Sequence, residues 1–269
     1  MYVNPTWTIQ FPEVKAVIQQ YYSRLYDHNN LIKNRHDIQE RFIENFVPWI
    51  NKGHMKFVGL KDFKYVYITN GITEAMTTVM FEHSLRPITQ KGEYPGYFAQ
   101  AKVFRESNIE LRNKIKVLSL PFYNSGLEHP TTTETLEENS FIDCAWAGGS
   151  GIEKTYDVSK VGYVAFSFSK MFALQYHRVG ILFSKKPVKT LDIYKEKAYV
   201  NLAGVDLINQ LMSFSPSYFY DKYKHISKEI CKNLGVEETP SLWIGSKDGK
   251  KVPLINEWLE YEKRNTRIF

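Results

Sequence analysis

The sequence predicts an α/β fold: a mostly parallel sheet with flanking helices, joined to a small α+β domain. Short apolar runs rich in β-branched and aromatic residues recur at 64–69, 114–120, 141–144, 161–167 and 179–184. Such continuous runs mark strands buried on both faces. The first run passes through Asn70-Gly71 into ITEAMTTVMFEH. Strand, tight turn and helix make the opening half of a βαβ unit. Beyond residue 185 these runs give way to helical stretches and one hairpin signal.

The elements follow in order. Residues 12–27 place Val14, Ile18, Tyr21 and Leu25 at helical spacing. Residues 36–50 form a second helix with Ile38, Phe42 and Phe46 on one face. The strand at 64–69 and the helix after it come next. Between the strands at 114–120 and 141–144, residues 131–138 admit only a short helix. After 179–184, residues 187–213 read as helical and 217–235 as a Tyr- and Lys-rich helix. Residues 241–255 fit a hairpin around Lys247-Asp248-Gly249, and 256–264 a terminal helix. The expected organisation is N-terminal helices at 1–55 (small domain or dimer contacts), a large α/β domain at 56–185 and a small domain at 186–269.

Composition narrows the function. The chain has 269 residues and a net charge of +6, too diffuse to imply nucleic acid. Two distant cysteines, Cys144 and Cys231, make no disulfide framework, so a reducing, cytoplasmic setting is expected. The first residues lack the basic and apolar regions of a signal peptide, and no run approaches 18 apolar residues. No membrane partner is expected. The histidines show no ligand spacing, so no metal is expected.

Four segments carry chemistry. Ser167-Phe168-Ser169-Lys170 ends a buried strand, and Arg178-Val179-Gly180 follows. Hydroxyls and a guanidinium are anion ligands. A lysine is usually solvent-facing, but a poorly solvated one beside a phosphate site is an amine nucleophile toward carbonyls. Gly71, Ile72 and Thr73 read as an ordinary helix start or as backbone N–H groups and a hydroxyl cradling phosphate. Asp143, at the end of an apolar strand, needs a partner: a turn, or a cationic ring nitrogen. Tyr94 and Tyr97 flank Pro95-Gly96 and suit either a core or stacking on a planar cofactor.

In this order the segments resemble the fold-type I enzymes that use pyridoxal 5'-phosphate, most closely the class I/II aminotransferases. The match covers roughly residues 65–183. Its specific part is S-x-S-K-x(7)-R-x-G, met by Ser167, Ser169, Lys170, Arg178 and Gly180. The resemblance implies pyridoxal phosphate as cofactor and Lys170 as the catalytic amine of an internal aldimine. It implies Asp143 on the ring nitrogen and Tyr94, or Tyr97, stacked on the ring. Gly71, Ile72, Thr73, Ser167 and Arg178, with Ser169 adjacent, would hold the phosphate. It further implies a homodimer, and an amino acid or related amine with a keto acid as substrates.

The chain departs from the family in three places. Trp146 stands where a tyrosine commonly bonds the cofactor O3'. The usual N-P-x-N-P-T-G stretch is reduced to Pro121-Phe122-Tyr123-Asn124-Ser125-Gly126, with Asn124 as the O3' candidate. The C-terminal domain is short, and the arginine that usually binds the substrate carboxylate is not placed; Arg264 and Arg267 are near the C-terminus, and Arg24, Arg35, Arg41 and Arg86 remain available from a partner subunit. The expected function is an aminotransferase. The alternatives are another reaction at Cα or Cβ (lyase, decarboxylase, carbon–carbon bond formation) and a non-catalytic member of the fold.

Overall fold

The computed structural model describes residues 8–24, 28–107, 109–174 and 176–264. Leu25 and Arg267 fall outside them. Three helices come first: α1 (Pro12–Ser23), α2 (His28–Lys33) and α3 (Arg35–Ile50). The α/β region follows as β1 (Met55–Val58), β2 (Tyr65–Thr69), α4 (Ile72–Glu82), β3 (Leu85–Ile88), α5 (Gly96–Glu106), β4 (Asn113–Ser119) and β5 (Ser140–Cys144). It continues with β6 (Lys154–Asp157), β7 (Tyr163–Ser167), the single turn α6 (Phe168–Met171) and β8 (Gly180–Ser184). The chain then forms α7 (Lys189–Lys197), α8 (Leu202–Leu211), α9 (Tyr218–Leu234), β9 (Ile244–Lys247), β10 (Lys250–Pro253) and α10 (Ile255–Arg264).

Six strands make the central sheet, in the order β2-β8-β7-β5-β4-β3. Strands β3, β4, β5 and β7 pair in parallel, and β8 runs antiparallel to both β7 and β2. Five strands therefore point one way and β8 alone the other. The apolar runs alternate between two cores. On β7, Val164 and Phe166 enter one and Tyr163 and Ala165 the other. The first core is roofed by Phe42 and Phe46 of α3. The second is covered by Ala75, Met76, Val79 and Met80 of α4. Burial on both faces is why these strands lack polar alternation.

Some elements differ from the sequence reading. The segment 131–138 holds only a 3-10 turn at Thr133–Thr135. The stretch 187–213 is two helices, broken at Ala198, whose φ of 52° is left-handed. Strands β1, β3 and β6, each four residues long, and helix α5 lie where the sequence pattern gives no element. The C-terminal hairpin is present. Asp248 (φ 53°) and Gly249 (φ 69°) are both left-handed, as a tight two-residue turn requires.

The terminal segments meet. Phe11 stacks on Tyr223 of α9, with centroids 4.2 Å apart, and on Trp243, at 5.4 Å. The indole N–H of Trp258 on α10 donates to the Leu242 carbonyl at 2.7 Å, so this buried ring leaves no polar atom unmet. Among the described residues no helix is long and apolar enough to cross a membrane.

Candidate active site

The sheet's direction assembles the site. The carboxyl ends of β2, β4, β5 and β7 lie on one edge, where α/β sheets bind ligands. In register, Thr69 and Ser167 both face Gly180, Asp143 faces Ala165, and Ser119 faces Asp143. Because β8 is reversed, Arg178, just before its first residue, arrives at this same edge. A cavity of about 300 Å³ opens there, within the range of small-molecule sites. Thr73, Asp143, Trp146, Lys170 and Arg178 line it.

At one end stand groups that can bind an anion, a guanidinium and hydroxyls. Gly71 caps α4 with φ 91° and ψ 176°, a conformation essentially confined to glycine. A Cβ there would stand 3.0 Å from Arg178 Nη2. Gly180 allows the same close approach, since its own Cβ would meet the Gly71 Cα at 2.8 Å. Arg178 itself is held at φ 44°. Glu74 turns back to accept from the Asn70 backbone N–H at 2.6 Å, fixing the turn. The hydroxyls of Ser167 and Ser169 lie 2.9 Å apart and share a hydrogen bond. Gly71→Ala is expected to lower stability by about 1–3 kcal/mol through backbone strain, read as a fall in thermal midpoint.

Lys170 lies on the α6 turn directly after β7, its Nζ 5.4 Å from the Trp146 ring centroid. Burial, and then the Arg178 charge, pull its amine down to about 8. Such an amine is partly neutral near physiological pH, as a nucleophile must be.

Asp143 is buried at the end of β5. Its Oδ1 accepts from the Ala145 N–H at 2.9 Å and its Oδ2 from the Tyr97 hydroxyl at 2.8 Å. A carboxylate has about four acceptor positions, so two are left, and the side chain lines the cavity. Burial raises the carboxyl to about 6, with the Glu93 charge adding to the rise and the two hydrogen bonds opposing it.

The chain matches no family model and no curated protein. It does match solved structures. An aspartate aminotransferase of Thermotoga maritima superposes with a TM-score of 0.56 at 14% identity, over 91% of this chain and 75% of that one. A histidinol-phosphate aminotransferase of Sinorhizobium meliloti, solved with pyridoxal 5'-phosphate, gives 0.56 at 15% identity, over 88% and 71%. This is the fold of the type I pyridoxal-phosphate enzymes. A pyridoxal-phosphate-bound C–S lyase of Staphylococcus hominis shares it, with a TM-score of 0.54 at 11% identity over 91% and 74%. At such identities the likeness is one of fold.

On this type I fold, the sequence-predicted residues divide. Ile72, Thr73, Tyr94, Asp143, Trp146, Ser167, Ser169, Lys170 and Arg178 all line the cavity, and Gly71 abuts Arg178. Asn124 does not line it: its amide donates to the Gly249 carbonyl of the hairpin turn at 3.4 Å. Its neighbour Tyr123 takes the lining position. Tyr97 also lines the cavity, buried, with its hydroxyl donating to Asp143. Tyr94 meets it edge-to-face at 5.4 Å and remains partly exposed. Arg178 is the one arginine lining the cavity among the described residues. Arg264 ends α10 at an exposed position.

Sequence reasoning missed a buried network below the site. Thr131 N–H donates to His129 Nδ1 at 2.9 Å, which leaves Nε2 to donate to Glu93 Oε1 at 2.7 Å. Glu93 also accepts from the Ser119 N–H at 3.0 Å and its hydroxyl at 2.5 Å. Ser119 Oγ in turn accepts from Tyr123 N–H at 2.9 Å. The network pins the end of β4 and the wall carrying Tyr123. Its only sequence signal is an acid, Glu93, beside two aromatics.

Proposed function

We propose that the protein is a pyridoxal-phosphate-dependent aminotransferase acting on an amino acid or related amine. One observation carries this reading: a buried carboxylate, a half-buried amine and a guanidinium-and-hydroxyl pocket converge on one cavity of a type I fold. The residues present fit the cofactor. Gly71 leaves room beside Arg178 for a group that a Cβ would crowd, and Asp143 keeps acceptor positions for a cationic N–H.

When bound, the pyridine ring of the cofactor withdraws electrons from the substrate carbon beside it. Asp143 would hold the ring nitrogen protonated, and Tyr97 and Ala145 keep the carboxylate aimed. Ile72 and Thr73, with Ser167, Ser169 and Arg178, would bind the phosphate through backbone N–H, hydroxyl and guanidinium donors. Tyr94 would cover one ring face. Lys170 would anchor the cofactor through its amine and carry a proton on and off the substrate Cα. We expect Arg178→Gln to weaken cofactor affinity roughly 10–100-fold, the worth of charged hydrogen bonds, measured by titration of the apoprotein.

Trp146 favours a second reading. The indole N–H donates but cannot accept or ionise, and it lies against Lys170. Proton movement at that amine is then tuned differently, which suits elimination or decarboxylation on the same scaffold. A panel of amino acids given to the loaded protein separates the two. Keto acid with pyridoxamine phosphate supports transamination. Keto acid with free ammonia, or an amine with carbon dioxide, refutes it in favour of the second reading.

A further inference from the structure

Glu93 is a second buried acid beside this cavity, and the function proposed above gives it no part. Its side chain is fully covered, 0% exposed, and so is that of His129. It sits behind Ser119, which lines the cavity and lies opposite Asp143 in the register of β4 and β5. Further along the same segment, Tyr97 donates its hydroxyl to Asp143 at 2.8 Å. Residues 93–97 therefore grip the end of β4 through Glu93 and the end of β5 through Tyr97.

The donors around Glu93 are neutral. The Ser119 N–H reaches both of its oxygens, at 3.0 and 3.2 Å, and the Ser119 hydroxyl donates to Oε2 at 2.5 Å. His129 donates from Nε2 at 2.7 Å, and its Nδ1 accepts from the Thr131 N–H at 2.9 Å, so the ring is the neutral form. These bonds hold the carboxylate in place without cancelling its charge. Glu93 and Tyr94 from the loop before α5, Tyr97 on α5 and Cys144 on β5 are the ionisable groups packed against Asp143. Burial raises both tyrosine hydroxyls and the thiol, which keeps all three neutral. Lys170 and Arg178 line the same cavity. Among the described residues, Glu93 is thus the negative charge that Asp143 feels. Neighbouring like charges oppose each other, and one cation at the open acceptor positions of Asp143 relieves both.

We propose that Glu93 is a positioning residue whose buried charge, acting through Asp143, makes this end of the cavity a seat for a cationic N–H. This rests on the function proposed above, in which that cation is the protonated ring nitrogen. The test follows the full chain by carboxyl-carbon and imidazole NMR without cofactor, then by ring-nitrogen NMR with labelled pyridoxal phosphate bound. In cofactor-free wild type at neutral pH, the Glu93 carboxyl should read as ionised and the His129 ring as neutral. In Glu93→Gln, the Asp143 carboxyl, identified by its absence from Asp143→Asn, should titrate about one pH unit or more below its wild-type midpoint, the scale on which a neighbouring charge moves a carboxyl. The bound ring nitrogen should lose its proton at a pH lower by a similar amount, about tenfold in proton affinity. A Glu93 that only packs would move neither midpoint, so unchanged midpoints in a folded Glu93→Gln overturn the proposal. A protonated Glu93 or a charged His129 in wild type overturns it too, and that reading decides the matter if the variant does not fold. Failure of wild type to bind the cofactor removes the function reading, while the cofactor-free titration still decides whether Glu93 charges the Asp143 end.

Discussion

Lys170→Ala is expected to reduce turnover by about 10³-fold or more while leaving the protein folded. On the proposed function the substitution removes both the cofactor's covalent anchor and the proton carrier, and loss of a general base by itself is worth about 10²–10⁴-fold. Stability should not fall with it. In the folded chain the amine is held near 8 against an ordinary 10.5, so burying it charged is unfavourable. Between those values the unfolded chain binds more protons, and stability contributed through Lys170 rises as pH rises from about 8 to 10.5. The alanine variant loses that slope. Thermal unfolding across this window, alongside turnover, checks both halves.

Asp143→Asn should lower turnover by about 10²–10³-fold, the usual cost of removing a charge aimed at developing charge. The fold should tolerate it. The amide oxygen keeps the Ala145 N–H, and the amide nitrogen donates to the Tyr97 hydroxyl oxygen. The pH dependence is the more specific reading. Burial raises Asp143 from 3.8 to about 6, so the wild-type carboxyl is neutral below that value and offers a cationic ring nothing. Cofactor affinity should fall as pH drops through 6 in wild type and stay flat in the variant. Linkage runs the other way for the cofactor-free protein: between 3.8 and 6 the folded state binds the extra proton, so this group's contribution to stability declines as pH rises through that window. A cation at the carboxylate would reverse that by lowering its pKa.

Much of the site was legible because its residues sit at strand ends within short motifs. Ser167 closes β7 and Ser169 and Lys170 follow it, Asp143 is the next-to-last residue of β5, and Gly71 caps α4, which Ile72 and Thr73 open. Strands β5, β7 and β8 were legible because both faces are buried and, Asp143 apart, every residue is apolar or small. Strand β3 contains Pro87 and only four residues, and β1 and β6 pair only with each other across about a hundred positions. No local pattern announces such pairing. The misplaced Asn124 has the same cause, since its partner Gly249 is 125 residues away. The Tyr97–Asp143 bond spans 46 residues and the Glu93–His129 pair 36.

The most direct test is a titration of the purified protein with pyridoxal 5'-phosphate, followed by borohydride reduction and peptide mass analysis. The structure predicts a saturable absorption band near the visible edge and a pyridoxyl label confined to the peptide carrying Lys170, with neither in Lys170→Ala. A folded protein that shows no band at saturating cofactor, or a label scattered over other lysines, would contradict the assignment of this cavity as a pyridoxal-phosphate site.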